Sequence, residues 1–142
     1  MSELTRENLG WLLAKASQRW NDGLAAAFRD AGFRDVRPSY GSVLVPLFEE
    51  DGLRMGELAR RSGLSKQAMT TLVRSVEQTG LVSRVRDAAD GRAFRISLTS
   101  RGEELRPVAE QVVADLSAKV REQLSESELS TLKTSLRKVV DL

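Results

Sequence analysis

The spacing of apolar residues separates two helical ends from a middle patterned differently. Between Leu4 and Ala31, positions such as Leu9, Leu13, Ala16, Trp20, Leu24 and Phe28 recur every three or four residues. That period predicts one long amphipathic helix, stopped by Gly32. Asp35 to Arg37 reads as a connector, and Pro38 suits the first position of a second helix carrying Tyr40, Val43, Leu44, Leu47 and Phe48. Pro46 falls inside that helix, so a kink or an early end is expected there. At the other end, Thr99 or Ser100 caps a fifth helix whose stripe runs from Leu105 through Val112 and Val120 to Leu124, with Pro107 bending it early. Ser125 and Glu128 have capping-box spacing and open a last helix bearing Leu129, Leu132, Leu136 and Val139.

The middle is more finely divided. Met55 to Arg61 predicts a short third helix with Leu58 and Ala59 inward, then a turn at Ser62-Gly63-Leu64. Ser65 is placed to cap a fourth helix ending near Gly80. Two short strands follow. In the second, Phe94, Ile96 and Leu98 alternate with Arg95 and Ser97. The turn between the strands holds Asp87, Asp90, Gly91 and Arg92. Helix, tight turn, helix, strand, turn, strand is the layout of a winged helix-turn-helix.

The predicted fold is therefore mainly α and a single domain over residues 1–142. A winged helix-turn-helix lobe with a two-stranded wing occupies 38–99. Long helical segments, 1–34 and 100–142, flank it. Helices that long carry more apolar stripe than a small lobe can cover, so they are expected to bury it against each other and against a second copy, a homodimer.

Composition narrows the chemistry. The chain has neither His nor Cys, which removes disulfides, thiolate and imidazole metal sites, and nucleophiles that depend on His. No phosphate-binding glycine loop or metal box is present either, and the adjacent carboxylates Glu49, Glu50 and Asp51 read as a solvated cluster at a helix end. The expectation is no enzyme, no metal and no cofactor. The uncharged apolar run from Val43 to Phe48 is too short to span a bilayer, and the amino terminus lacks the pattern of a secretory signal. A cytoplasmic protein with no membrane partner is expected. Net charge is only +2, but residues 54–106 hold 11 Lys/Arg against 6 Asp/Glu, a local excess of +5. A basic middle between acidic flanks suggests that the middle meets a polyanion.

The fourth helix carries the recognition chemistry. Leu64, Ala68, Leu72 and Val76, recurring every fourth residue, are expected to face the core. Gln67, Thr70, Thr71 and Arg74 then face outward as candidate contacts to base edges or adjacent phosphates of double-stranded DNA. Ser65 and Lys66 lie where free N–H groups and the helix dipole favour a phosphate. In the wing, Arg92 is the candidate for the minor groove, and Arg84, Arg86 and Arg95 are candidates for phosphates. Asp90 either orients Arg92 or Arg86 or hydrogen-bonds its own turn.

These residues, in this order, resemble the MarR family of bacterial transcription regulators. The resemblance rests on GELARRSGLSKQAMTTLVRSVEQTGLVSR, on the D-x-x-D-x-R wing of Asp87, Asp90 and Arg92, and on ISLTSRG entering a long helix. Two wing positions depart from the family pattern: Ala88 stands where proline is frequent, and Gly91 where arginine is frequent. Minor-groove contact then rests on Arg92. Pro46 is also atypical of the second helix.

The resemblance implies a triangular homodimer joined through its first, fifth and sixth helices, with two winged lobes straddling a pseudo-palindromic operator. Members usually repress transcription and often release DNA on binding a small aromatic or phenolic effector. Trp11, Trp20, Arg37, Tyr40 and Phe48 are the candidates for such a ligand, set against the alternative that the aromatic residues are core and dimer interface. With no Cys, the resemblance does not extend to members that sense peroxide through a thiol. The competing reading is a winged protein-interaction module without specific DNA binding, using the long apolar helices as its working surface.

Overall fold

A computed structural model describes residues 2–142, and its elements follow the order of the sequence pattern. They are α1 (Leu9–Asp30), a single 3-10 turn (Pro38–Tyr40), α2 (Gly41–Glu49), β1 (Leu53–Arg54), α3 (Met55–Ser62), α4 (Lys66–Gln78), β2 (Val82–Arg86), β3 (Phe94–Leu98), α5 (Ser100–Gln123) and α6 (Glu126–Val140). The fold is mainly α, a winged helix-turn-helix with long terminal helices.

Helix α1 starts five residues later than its apolar period suggests. Short polar side chains ahead of it engage the local backbone: Thr5 Oγ1 accepts from the Glu7 N–H at 3.2 Å, and Asn8 Nδ2 donates to the Glu3 carbonyl at 2.8 Å. Such bonds compete with a helix. Asn8 then caps α1, its Oδ1 accepting from the Trp11 N–H at 3.1 Å.

Pro38 opens the 3-10 turn rather than α2 itself. Pro46 does not stop α2, which continues three residues past it to Glu49. A proline lacks the N–H that would bond the carbonyl four residues back, here that of Ser42. Ser62 at the end of α3 donates its hydroxyl to that carbonyl instead. The two helices are thereby joined at the point where proline leaves an acceptor vacant.

Gly63 makes the turn between α3 and α4 at φ +65°, a conformation that β-carbons resist. The wing is a three-stranded sheet in the order β1-β3-β2, not the two strands expected. Leu53 and Arg54 pair antiparallel with Ile96 and Arg95. Two residues are too few to show a period, so β1 is invisible until β3 lies beside it. Thr99 caps α5, accepting from the Gly102 N–H at 3.2 Å. Gly102 is needed at that spot because a β-carbon there would lie 2.3 Å from the Leu81 carbonyl oxygen. The predicted capping box of Ser125 and Glu128 is formed in both directions.

The core lies where α2, α3, α4, the sheet and α5 meet. Leu47, Leu58, Met69, Leu81, Ile96 and Leu105 are fully buried there. Each contributes about 1.5–3 kcal/mol of transfer free energy, enough together to hold α4 and the wing as one body. Helix α6 differs: only Leu129 of its stripe is buried, and Leu132, Leu136 and Val140 are exposed.

Candidate nucleic-acid interface

Helix α4 is held by its inner face, and that face is rotated from the expected one. Met69, Val73 and Val76 are buried and Leu72 is half-buried, whereas Leu64 and Ala68 are exposed. A row of every-fourth residues drifts about 40° per step around a helix of 3.6 residues per turn. The row Leu64, Ala68, Leu72, Val76 therefore begins outside and ends inside.

The outward face holds Lys66, Gln67, Ala68, Thr71 and Arg74, all exposed. Ser65 is also exposed, but its hydroxyl caps the helix by accepting from the Ala68 N–H at 3.1 Å. Thr70 is half-buried, and its hydroxyl donates to the Lys66 carbonyl at 2.8 Å. Thr71 does the same to Gln67 at 3.1 Å. Both threonines have thus given their one proton to their own helix.

The wing is organised around Asp87, which carries no role in the sequence reading beyond its place in the turn motif. Its side chain is buried, and Oδ1 accepts from the Ala89 N–H at 2.8 Å. Oδ2 accepts from Arg54 at 3.0 and 2.8 Å and pairs with Arg95 Nε at 2.9 Å. The Ala89 amide, and after it the Arg54 guanidinium, hold the carboxyl down to about 2. Arg54 and Arg95 are opposite residues on β1 and β3, so the strand pairing that escaped the sequence also hides this site.

Three other wing candidates are engaged within the protein. Arg84 pairs with Glu77 of α4 at 3.0 Å. Arg95 is committed to Asp87. Arg86 donates to the Gly91 carbonyl and lies 5.4 Å from the centroid of the Phe94 ring. Asp90 does not reach either guanidinium: its Oδ1 accepts from the Arg92 backbone N–H at 3.1 Å, the local turn bond. Arg92 is exposed at the tip.

One pattern emerges from the lobe's charges. Of the 11 basic residues between 54 and 106, seven form ion pairs with carboxylates. Among the described residues, the four without such a partner are Lys66, Arg74, Arg86 and Arg92. All four belong to α4 or the wing.

The five ligand candidates do not converge. Trp11 stands exposed near the start of α1 with the Lys15 amine 5.5 Å from its ring centroid. Trp20 lines an apolar cleft of about 440 Å³ formed with α5 and α6. Tyr40 is buried in the core. Arg37 and Phe48 alone meet, in a narrow cavity of about 90 Å³ between α1, α2 and α5, together with Leu24, Leu105 and Val113. Sequence reasoning missed the α5 side of this cavity. It also missed Arg106, which donates to the Phe48 carbonyl at 2.7 Å and lies 5.0 Å from its ring centroid. Nothing local marks Arg106, because α5 reaches Phe48 only through the tertiary fold.

The model of the MarR family matches residues 36–93, which is α2 through most of the wing. The HTH-type transcriptional repressor Rv2887 of Mycobacterium tuberculosis is 31% identical over 131 residues, covering 92% of each chain. The chain belongs to the MarR family of transcription regulators. Solved structures of other proteins share the fold of this MarR-family chain. The repressor CouR, bound to a 23-mer DNA duplex, matches at a TM-score of 0.81 and 24% identity, over 98% of this chain and 99% of CouR. PcaV of Streptomyces coelicolor, in complex with its natural ligand, matches at 0.80 and 22% identity, over 99% of this chain and 98% of PcaV. No helix among the described residues is long and apolar enough to cross a membrane.

Proposed function

We propose that this MarR-family chain is a dimeric, cytoplasmic repressor that occupies a pseudo-palindromic operator. Helix α4 enters the major groove through Lys66, Gln67, Thr71 and Arg74, and Arg92 of the wing enters the adjacent minor groove. The observation that carries this reading is the distribution of unpaired cations. A lobe that neutralises five of its nine basic residues by ion pairs within itself, and leaves four on one helix and one hairpin, presents positive charge where a duplex would lie. The relative named as a repressor and the DNA-bound state of CouR support the same reading.

The lobe spans residues 38–99, and segments 1–34 and 100–142 form the dimer base. The exposed stripe of α6 supplies the apolar surface for that base. An effector, by analogy with ligand-bound PcaV, would enter the cavity of Arg37 and Phe48. The cavity sits between α5 and α2, so widening it would shift the base against the lobe and change the spacing of the two recognition helices.

The test is titration of labelled duplex from upstream of the chain's own gene at two salt concentrations, with unrelated duplex as competitor. Binding that survives competitor and falls steeply with salt supports an operator-binding protein. No binding at either salt overturns the proposal and shifts weight to a winged module that meets protein partners.

A further inference from the structure

The groups that α4 turns outward are less polar than its sequence suggests. Ala68 is exposed in the first turn, one residue beyond Gln67 and three before Thr71. Residues three apart are neighbours on a helix surface. The Thr71 hydroxyl is turned back onto the Gln67 carbonyl at 3.1 Å. Its proton is therefore spent, and the exposed side chain is left with a methyl group and a hydroxyl oxygen that can only accept. Ala68 and Thr71 together offer a pair of adjacent methyl groups, with the Gln67 amide beside them and the Arg74 guanidinium one turn on.

We propose that the methyl groups of Ala68 and Thr71 form a small apolar contact that reads the 5-methyl group of a thymine in each half-site. In the major groove, thymine is the base that presents a methyl, and alanine and threonine methyls are the side-chain groups that meet it. Gln67, next along the helix, matches the N6 and N7 pattern of adenine. The half-site then carries an A·T pair beneath the first turn of α4. This assignment rests on α4 being the recognition helix of a DNA-binding protein, and its test separates the two.

The probe is a duplex enriched by repeated selection from a random pool on the full-length protein. Each thymine of the selected half-site is replaced in turn by deoxyuridine, which removes only the methyl. The expected result is about fourfold weaker binding at one or two thymines, the worth of one methyl taken out of water. In the Ala68→Gly/Thr71→Ser double variant the same replacement should cost little, because both methyls on the protein's side of the contact are gone, and each single variant should fall between. Thr71→Ser keeps the hydroxyl and removes only the methyl, so a loss of fold cannot imitate the result. If no duplex is enriched, the DNA-binding reading itself fails. If a duplex is enriched but deoxyuridine changes binding less than twofold at every thymine, the methyl contact is overturned and DNA binding stands.

Discussion

Ser62 donates its hydroxyl to the carbonyl oxygen of Ser42, the acceptor that Pro46 cannot serve within α2. A proline that reads as a helix breaker is thus tolerated because the neighbouring helix supplies the missing donor. Helix α2 thereby stays continuous beside the cavity of Phe48.

Ser62→Ala should destabilise the protein by about 1 kcal/mol, since it removes a hydrogen bond and strands a partly buried acceptor. In a Pro46→Ala background an N–H is restored four residues along, and the penalty should shrink. Urea unfolding of the two single variants and the double variant measures the coupling. Equal penalties in both backgrounds would show that the bond does not compensate the proline.

The wing should carry an acid-sensitive part of the stability. Asp87 has its carboxyl lowered from an ordinary 3.8 to about 2 by the Ala89 amide and Arg54. A carboxyl lowered on folding stabilises the protein above its unfolded value and ceases to do so as pH falls through the folded one. Its contribution is therefore complete above about pH 4 and lost between there and about pH 2. Asp87→Asn should lower the melting temperature at pH 7 and flatten its fall below pH 4. Melting curves across pH 2–7 check this. A variant that parallels the wild type over the whole range would remove Asp87 from the acid response. Glu57, also held at about 2 by Arg60 and then Arg61, remains as a shared background in both proteins.

Basic residues that look alike in sequence should behave differently on DNA. Replacing Lys66, Arg74 or Arg92 by alanine should each reduce the slope of log affinity against log salt by about 1. Arg84→Ala should leave the slope nearly unchanged, because Arg84 is already paired with Glu77. Fluorescence anisotropy over a salt series gives the slopes. An equal change for Arg84 and Arg92 would refute the assignment by ion pairing.

Helix α6 should govern assembly rather than folding of the lobe. Leu132 and Leu136 are both exposed. Changing each to Glu places charge on the apolar stripe without touching the core, so sedimentation should report half the wild-type mass while the helical circular dichroism persists. A wild type that sediments as a monomer would contradict the proposed base.

How much of this was legible in the sequence differs from element to element. The last helix's capping box and the stop glycines were legible because they are local: Ser125 and Glu128 find each other across three residues, and Gly32, Gly63 and Gly80 all have positive φ. Strand β1 was not, because Leu53 and Arg54 become a strand only when Ile96 and Arg95 are beside them. The outward face of α4 was placed correctly for Lys66, Gln67, Thr71 and Arg74, only partly for the half-buried Thr70, and wrongly for Ala68 and Leu64, since period alone does not fix the rotation of a helix. The ligand candidates scattered because Trp11 and Trp20, nine residues apart, point to opposite sides of α1, and neither reaches the cavity where Arg37 meets Phe48.

The sequence by itself determined the order of the helices and of the two hairpin strands, the winged helix-turn-helix and the basic middle, all of which depend on period, caps and charge along the chain. Tertiary structure alone decided which arginines are free. Arg54, Arg84 and Arg95 were indistinguishable from Arg92 as letters, and became different only when folding brought Asp87 and Glu77 within 3.0 Å of them. Ion pairing depends on distance through space, and distance through space is what a single sequence does not state.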